Sequence, residues 1–180
     1  MTLHPNDYQS AIASDELALI IDGNPFAISD AEALAVGIVT SYLRARFQVA
    51  KIITQITQFD AAVTYSVGHR VLYNNILYFA KEATTGSQPD TSTKWQKGNN
   101  MDPVIKCRLL DIALYQLHKK VSLRQIPDKI AIAFEEAISW LKAVNNGIVD
   151  PGLPVREDVP QAGKSVIFTS RPRRKTHNII

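Results

Sequence analysis

In the early part of the chain, apolar positions recur at helical spacing. Leu3, Tyr8 and Ile12 are placed for one face of short helical pieces, and Ser14-Asp15-Glu16 starts a run through Ile21. Asp22-Gly23-Asn24-Pro25 is a turn cluster that stops it. Ser29 then opens a long helix, because it can cap and Glu32 lies three residues on, the spacing of a capping box. Ala31, Leu34, Ala35, Ile38, Val39, Tyr42 and Leu43 follow as its apolar stripe, which Phe47 extends. Gly37 costs that helix roughly 1 kcal/mol of propensity, which close approach of another helix would explain. Arg44 and Arg46 favour the negative pole at its end.

From Phe59 the period changes. Val63-Thr64-Tyr65, Arg70-Val71-Leu72-Tyr73 and Ile76-Leu77-Tyr78-Phe79-Ala80 are short β-branched and aromatic runs. Asn74-Asn75 makes a two-residue hairpin turn, since Asn tolerates positive φ. Thr84 to Thr93 is polar loop, leading to Trp95 and Gly98. Residues 59–98 thus read as a small β module set between helices. Helical pattern returns at Asp102-Pro103, a cap followed by proline at the first helical position. Val104, Ile105, Cys107, Leu109, Leu110, Ile112, Ala113, Leu114, Tyr115 and Leu117 make this helix apolar on nearly every side, which predicts a central one. Ile126-Pro127-Asp128 starts the last helix. Ile130, Phe134, Ala137, Leu141 and Val144 are its stripe, and Gly147 is its stop. After Asp150-Pro151-Gly152 the pattern is lost, and Pro151, Pro154, Pro160 and Pro172 break any helix. Residues 151–180 read as an extended arm that orders on a partner.

Charge divides unevenly along the chain. The formal net charge is +3, but Lys164, Arg171, Arg173, Arg174 and Lys175 follow Val159 with no acid among them, leaving a net −2 on residues 1–158. The basic pI therefore belongs to the arm. Such an arm reads as a solubilising end, as a nucleic-acid contact, or as a peptide that folds on a protein. The apolar pieces Val166-Ile167-Phe168 and Ile179-Ile180 around the charges fit the last best. At 46% hydrophobic and 21% charged residues the chain has enough apolar side chain to fold. Its longest apolar runs, such as Leu17–Ile21, fall far below the ~18 residues of a membrane span.

Candidate chemistry is sparse. His4, His69, His118 and His177 lack partners at metal-ligand spacing, and neither a glycine-rich phosphate loop nor a G-x-S-x-G elbow occurs. His118 is placed near the free carbonyls of a helix end. Cys107 reads as a buried thiol, Asp111 as the partner of Arg108, Lys106 or an arginine on another helix, and Glu135-Glu136 as a solvated face. No enzyme, metal or cofactor is expected.

Two resemblances rest on particular residues. Tyr42-Leu43-Arg44-Ala45-Arg46-Phe47, Cys107 with Asp111-Ile112-Ala113-Leu114-Tyr115-Gln116-Leu117, and Ile126-Pro127 through Phe134-Glu135-Glu136-Ala137-Ile138 to Trp140-Leu141 and Gly147 resemble the small head-tail connector (head-completion or adaptor) proteins of Mu-type phages. Tyr65, Gly68, Val71, Tyr73, Tyr78, Ala80-Lys81, Thr85-Gly86, Gln88-Pro89 and Trp95 resemble a small chitin- or cellulose-type carbohydrate-binding module. Glu82-Ala83 stand where that module has exposed tryptophans, and His69 where an Asp is usual.

The first resemblance implies a mainly α fold: a helical bundle of four to five helices with an inserted antiparallel β module and an extended arm. The helical adaptor domain would be 1–58 and 99–150, the module 59–98 and the arm 151–180. It also implies a virion protein of the neck, assembled in the host bacterial cytoplasm. It would form a cyclic, roughly twelvefold ring on the portal protein and meet other neck or tail proteins. Val166, Ile167, Phe168, Arg171, Arg173, Arg174 and Lys175 would dock on the portal, or the charges would face packaged DNA. The second resemblance implies the alternative, a carbohydrate-binding adhesion or decoration protein with Tyr73, Tyr78 and Trp95 as glycan contacts. The competing reading of these rings is the core of a very small unit.

Overall fold

A computed structural model describes residues 1–120 and 126–157. Its elements in order are α1 (Pro5–Gln9), α2 (Ser14–Ile21), α3 (Ala27–Leu43), α4 (Val49–Ile52), β1 (Ile56–Gln58), β2 (Thr64–Tyr65), β3 (Arg70–Tyr73), β4 (Ile76–Ala80), β5 (Thr84–Thr85), β6 (Trp95–Lys97), α5 (Pro103–Lys120) and α6 (Asp128–Asn145). The mainly α bundle of four to five helices is therefore corrected. Six helices and six strands make an α+β fold among the described residues.

The strands form a sheet of order β1-β3-β4-β6 and a separate β2-β5 pair. The expected module is purely antiparallel, whereas β1 runs parallel to β3, with Ile56 opposite Arg70. That strand lies in a stretch expected to belong to the helical body. Residues 53–58 read Ile-Thr-Gln-Ile-Thr-Gln, and their β-branched side chains favour extended backbone. The hairpin turn is as expected: β3 and β4 pair antiparallel, and Asn74 and Asn75 both have positive φ, 50° and 61°.

The larger core lies between α3, α5 and α6. Ala31, Ala35, Val39 and Leu43 of α3 meet Ile105, Leu109, Ile112 and Leu117 of α5, and Ala137, Leu141 and Val144 of α6 complete it. Each large side chain buried there contributes about 1.5–3 kcal/mol. Asp102 caps α5 as expected, its Oδ1 accepting from the N–H groups of Val104 (2.9 Å) and Ile105 (3.0 Å).

Four local expectations on α3 and its end are corrected. The helix starts at Ala27 with Phe26 as cap residue and no side-chain cap, so Ser29 and Glu32 form no capping box. Glu32 is instead buried, accepting from the Thr2 N–H (2.7 Å) and the Tyr8 hydroxyl (3.1 Å) and tying the first residues to α3. Leu34 lies half exposed on the outer face, and among the described residues no atom lies within 4 Å of where a Gly37 Cβ would stand, so none of the described helices approaches there. Arg46 serves another helix: its Nη1 donates to the Val144 carbonyl near the end of α6. The chain after α6 returns to this point. Arg156 N–H donates to Arg46 O (2.9 Å), Gln48 N–H donates to Pro154 O (2.8 Å), and Leu153 is buried. The first residues expected in the arm are thus fixed on the body.

Arg70 joins the insert to the body. Its side chain is 1% exposed. Nε donates to Thr54 Oγ1 (2.9 Å), Nη2 to the Thr54 carbonyl and Nη1 to Asn99 Oδ1 (3.0 Å). Thr54 lies on the way into the insert and Asn99 on the way out, so one guanidinium holds both connections. Burial lowers its pKa to about 10, against the opposing pull of Asp7 and Glu32.

Two stability predictions follow from these positions. Arg70→Met leaves the Thr54 carbonyl and Asn99 without their charged donor and lowers unfolding free energy by about 2–3 kcal/mol in chemical denaturation. Arg70→Lys does not restore it, because one ammonium cannot reach all three acceptors. Gly37→Ala raises stability by about 0.5–1 kcal/mol in the same assay, since the added methyl meets no described atom and the unfolded chain loses conformational entropy.

Candidate assembly surface

The residues expected in the arm, Val166, Ile167, Phe168, Arg171, Arg173, Arg174 and Lys175, lie outside the described residues. The described body ends at Glu157, beside the C-terminal end of α3.

The three rings proposed for glycan contact lie in the small core of the insert. Trp95 is 5% exposed, its Nε1 donates to the Ser87 carbonyl (2.8 Å), and its ring stands edge-on to Tyr65 (5.3 Å) and Phe59 (6.0 Å). Tyr78 is buried in the same cluster, and half-buried Tyr73 meets Phe59 edge-on at 5.4 Å. His69 serves its turn, with Nδ1 accepting from the Ser66 N–H at 3.2 Å.

The polar groups of α5 are structural partners. Asp111 Oδ2 lies 3.5 Å from Arg108 Nη1, the pairing the sequence suggests, and the guanidinium carbon is 6.0 Å from the centre of the Trp140 ring. Burial raises the Asp111 pKa, and Arg108 opposes the rise. Cys107 is exposed rather than buried, because it falls with Val104 and Asp111 on the stripe of α5 turned away from α3. Its Sγ is 3.8 Å from Asp111 Oδ2. Desolvation and the neighbouring carboxylate push the thiol up, which disfavours the nucleophilic thiolate.

His118 is buried, and among the described residues its Nε2 has no hydrogen-bond partner, a helix-end carbonyl included. Desolvation lowers its pKa, and Glu16 pulls weakly the other way. The folded state therefore resists a proton that the unfolded chain accepts near pH 6.5. Stability falls as pH drops through that value. His118→Leu flattens the dependence between pH 7 and 5.5 in urea titrations at several pH values.

The N-terminal layer carries a feature that division of charge at the arm alone overlooks. Residues 1–43 contain Asp7, Asp15, Glu16, Asp22, Asp30 and Glu32 and no Lys or Arg. Asp7 and Asp30 pair with Lys106 (3.1 Å) and Lys120 (2.8 Å), and Glu32 is internal. Asp15 and Asp22 make no ion pair among the described residues. Between α1, α2 and the start of α3 lies an open apolar groove of about 210 Å³, lined by Met1, Tyr8, Leu17, Ala18, Ile21 and Ile28 among others. Leu19 (59%) and Phe26 (68%) are exposed in the same layer. A second cleft, of about 340 Å³, lies between α1 and the hairpin turn, with His4, Asp7, Asn75, Ile76, Leu77 and Lys97 among the residues on its walls.

Residues 99–170 match the protein family described as Bacteriophage Mu, Gp36. The matched stretch holds α5, α6 and part of the arm, including Cys107, Asp111, Trp140 and Val166-Ile167-Phe168. Tyr42–Phe47 and the insert lie outside it. The match covers 72 of the 180 residues and supports a phage Mu-type protein. No curated protein and no solved structure matches the chain.

Proposed function

We propose that this protein is a neck adaptor of a bacteriophage, forming a ring of copies on the portal and seating the tail. The observation that carries the reading is the match of residues 99–170 to the phage Mu family, which covers the two helices that fill the core and runs into the arm. The mechanism is assembly. A packed helical body supplies a rigid block, and Leu19, Phe26, Leu34, Val104 and Ile132 leave apolar side chains on its surface for neighbours to cover. Contacts between unlike faces generate a closed ring when the rotation between copies divides the circle. Weak single contacts then suffice, because each copy is held from two sides.

The insert fits the same scheme. Its rings are used in its own core, and Arg70 fixes it to both connecting segments, so it acts as a rigid projection that braces a neighbouring subunit or a tail protein.

Gold labelling with a nanobody against this protein on purified phage particles tests the assignment. Label at the junction of head and tail is expected. Phage lacking the protein should accumulate DNA-filled heads beside free tails. Label at a tail tip or over the capsid surface overturns the reading and makes adhesion through the insert the better one.

A further inference from the structure

The groove between α1, α2 and α3 has the chemistry of an acceptor, and the chain carries a matching donor. On α2, Ser14, Leu17, Ala18 and Ile21 line the groove. One helical stripe over are Asp15, exposed Leu19 and Asp22, at spacings of four and three residues. Neither acid has an ion-pair partner among the described residues. The C-terminal end of α2, at Ile21 and Asp22, is the negative pole of that helix and adds negative potential at the same edge. The surface is thus an apolar slot with an acidic rim, in a layer that contains no Lys or Arg.

Residues 158–180 have the complementary order: an apolar triplet, Val166-Ile167-Phe168, followed by Arg171, Arg173, Arg174 and Lys175. We infer that this tail segment of one copy docks in the groove of a second copy, with the triplet in the slot and the basic residues over Asp15 and Asp22.

Reach decides between the chain's own groove and a neighbour's. Residues 154–156 are fastened to Arg46 and Gln48, just past the C-terminal end of α3. The groove lies at the other end of that helix, where Ile28 forms part of its wall. The 17 residues of α3 span about 26 Å. The nine residues from Glu157 to Val166 reach about 30 Å only at full extension, which leaves about 4 Å to round the body and turn into the slot. A neighbouring copy carries no such limit. A tail-to-groove contact joins unlike surfaces, so every copy can donate one tail and accept another.

The inference stands apart from the neck assignment, because self-association in solution and position on the particle are read by different experiments. The test uses the full-length chain in analytical ultracentrifugation. One variant carries Arg171→Glu, Arg173→Glu and Arg174→Glu. A second carries Asp15→Lys and Asp22→Asn, where Asn is chosen because residue 22 has φ of 47°. A third carries Phe168→Asp. Far-UV circular dichroism checks that each remains folded.

Each variant alone should self-associate at least about tenfold more weakly than the parent, and added salt should weaken the parent in the same direction. Mixing the first two variants should restore a one-to-one complex, since one retains a native groove and the other a native tail. Unchanged self-association in the first two variants overturns the proposal. Failure of the mixture to form a complex also overturns it, because the contact would then lie within one chain. Loss of binding to portal-bearing heads with self-association unaltered overturns it too, and places the acceptor on the portal.

Discussion

Arg70 is the constraint on which the arrangement of the two cores depends. The insert has a small aromatic core of its own, built on Tyr65, Val71, Tyr78 and Trp95. A unit of that size gains little free energy by itself and would hang loosely from two linkers. The guanidinium removes that freedom by binding Thr54 before the insert and Asn99 after it. A hydrophobic residue could fill the space but could not satisfy the Thr54 carbonyl and the Asn99 side chain together. Arginine can, because its donors lie in one fixed fork. The parallel pairing of β1 with β3 reinforces the junction, since Ile56 sits opposite Arg70 itself.

This junction also shows why parts of the fold were legible in the sequence and others were not. The stripe of α6, the Asp102-Pro103 start of α5 and the Asn74-Asn75 turn depend on residues close in sequence, and all three read directly. The chemistry around Asp111 read correctly for the same reason, because Arg108 lies three residues away on one helix. Glu32 did not read, because its partners are Thr2 and Tyr8 on another segment and a local capping box uses the same spacing. Leu34 and Cys107 failed through a related ambiguity. An apolar residue one step off the buried stripe has the right chemistry but faces solvent, and only the packing of α3 against α5 shows which face is covered. The strand at 56–58 was hidden because its partner, β3, lies fourteen positions on and pairs in parallel.

The candidate surface was legible only in its arm. Dividing the charge at residue 158 shows a basic tail, but the acids of the remainder are then averaged with the lysines of α5 and α6. The fold separates them. Asp7 and Asp30 are matched by Lys106 and Lys120 across the layer, and Glu32 is spent inside. Glu16 lies close enough to His118 to oppose the lowering of its pKa. Asp15 and Asp22 are left on the exposed stripe of α2.

That bookkeeping narrows where a basic segment can be received. A protein surface with scattered acids would attract the tail diffusely, and screening at physiological salt would erase most of the gain beyond about 8 Å. Two acids flanking an apolar slot act differently. The apolar triplet supplies free energy that salt does not screen, and the charges fix the direction in which the tail lies. One such contact per copy is modest, since ordering the tail costs conformational entropy at each residue. In a closed ring the cost falls, because a copy already held by its own tail presents its groove at high local concentration to the next. The rigid attachment of the insert matters here as well. If the insert held by Arg70 meets a neighbouring copy, it would limit the angles at which two bodies can approach, and a narrow range of angles would let the proposed tail-to-groove contacts close rather than spiral.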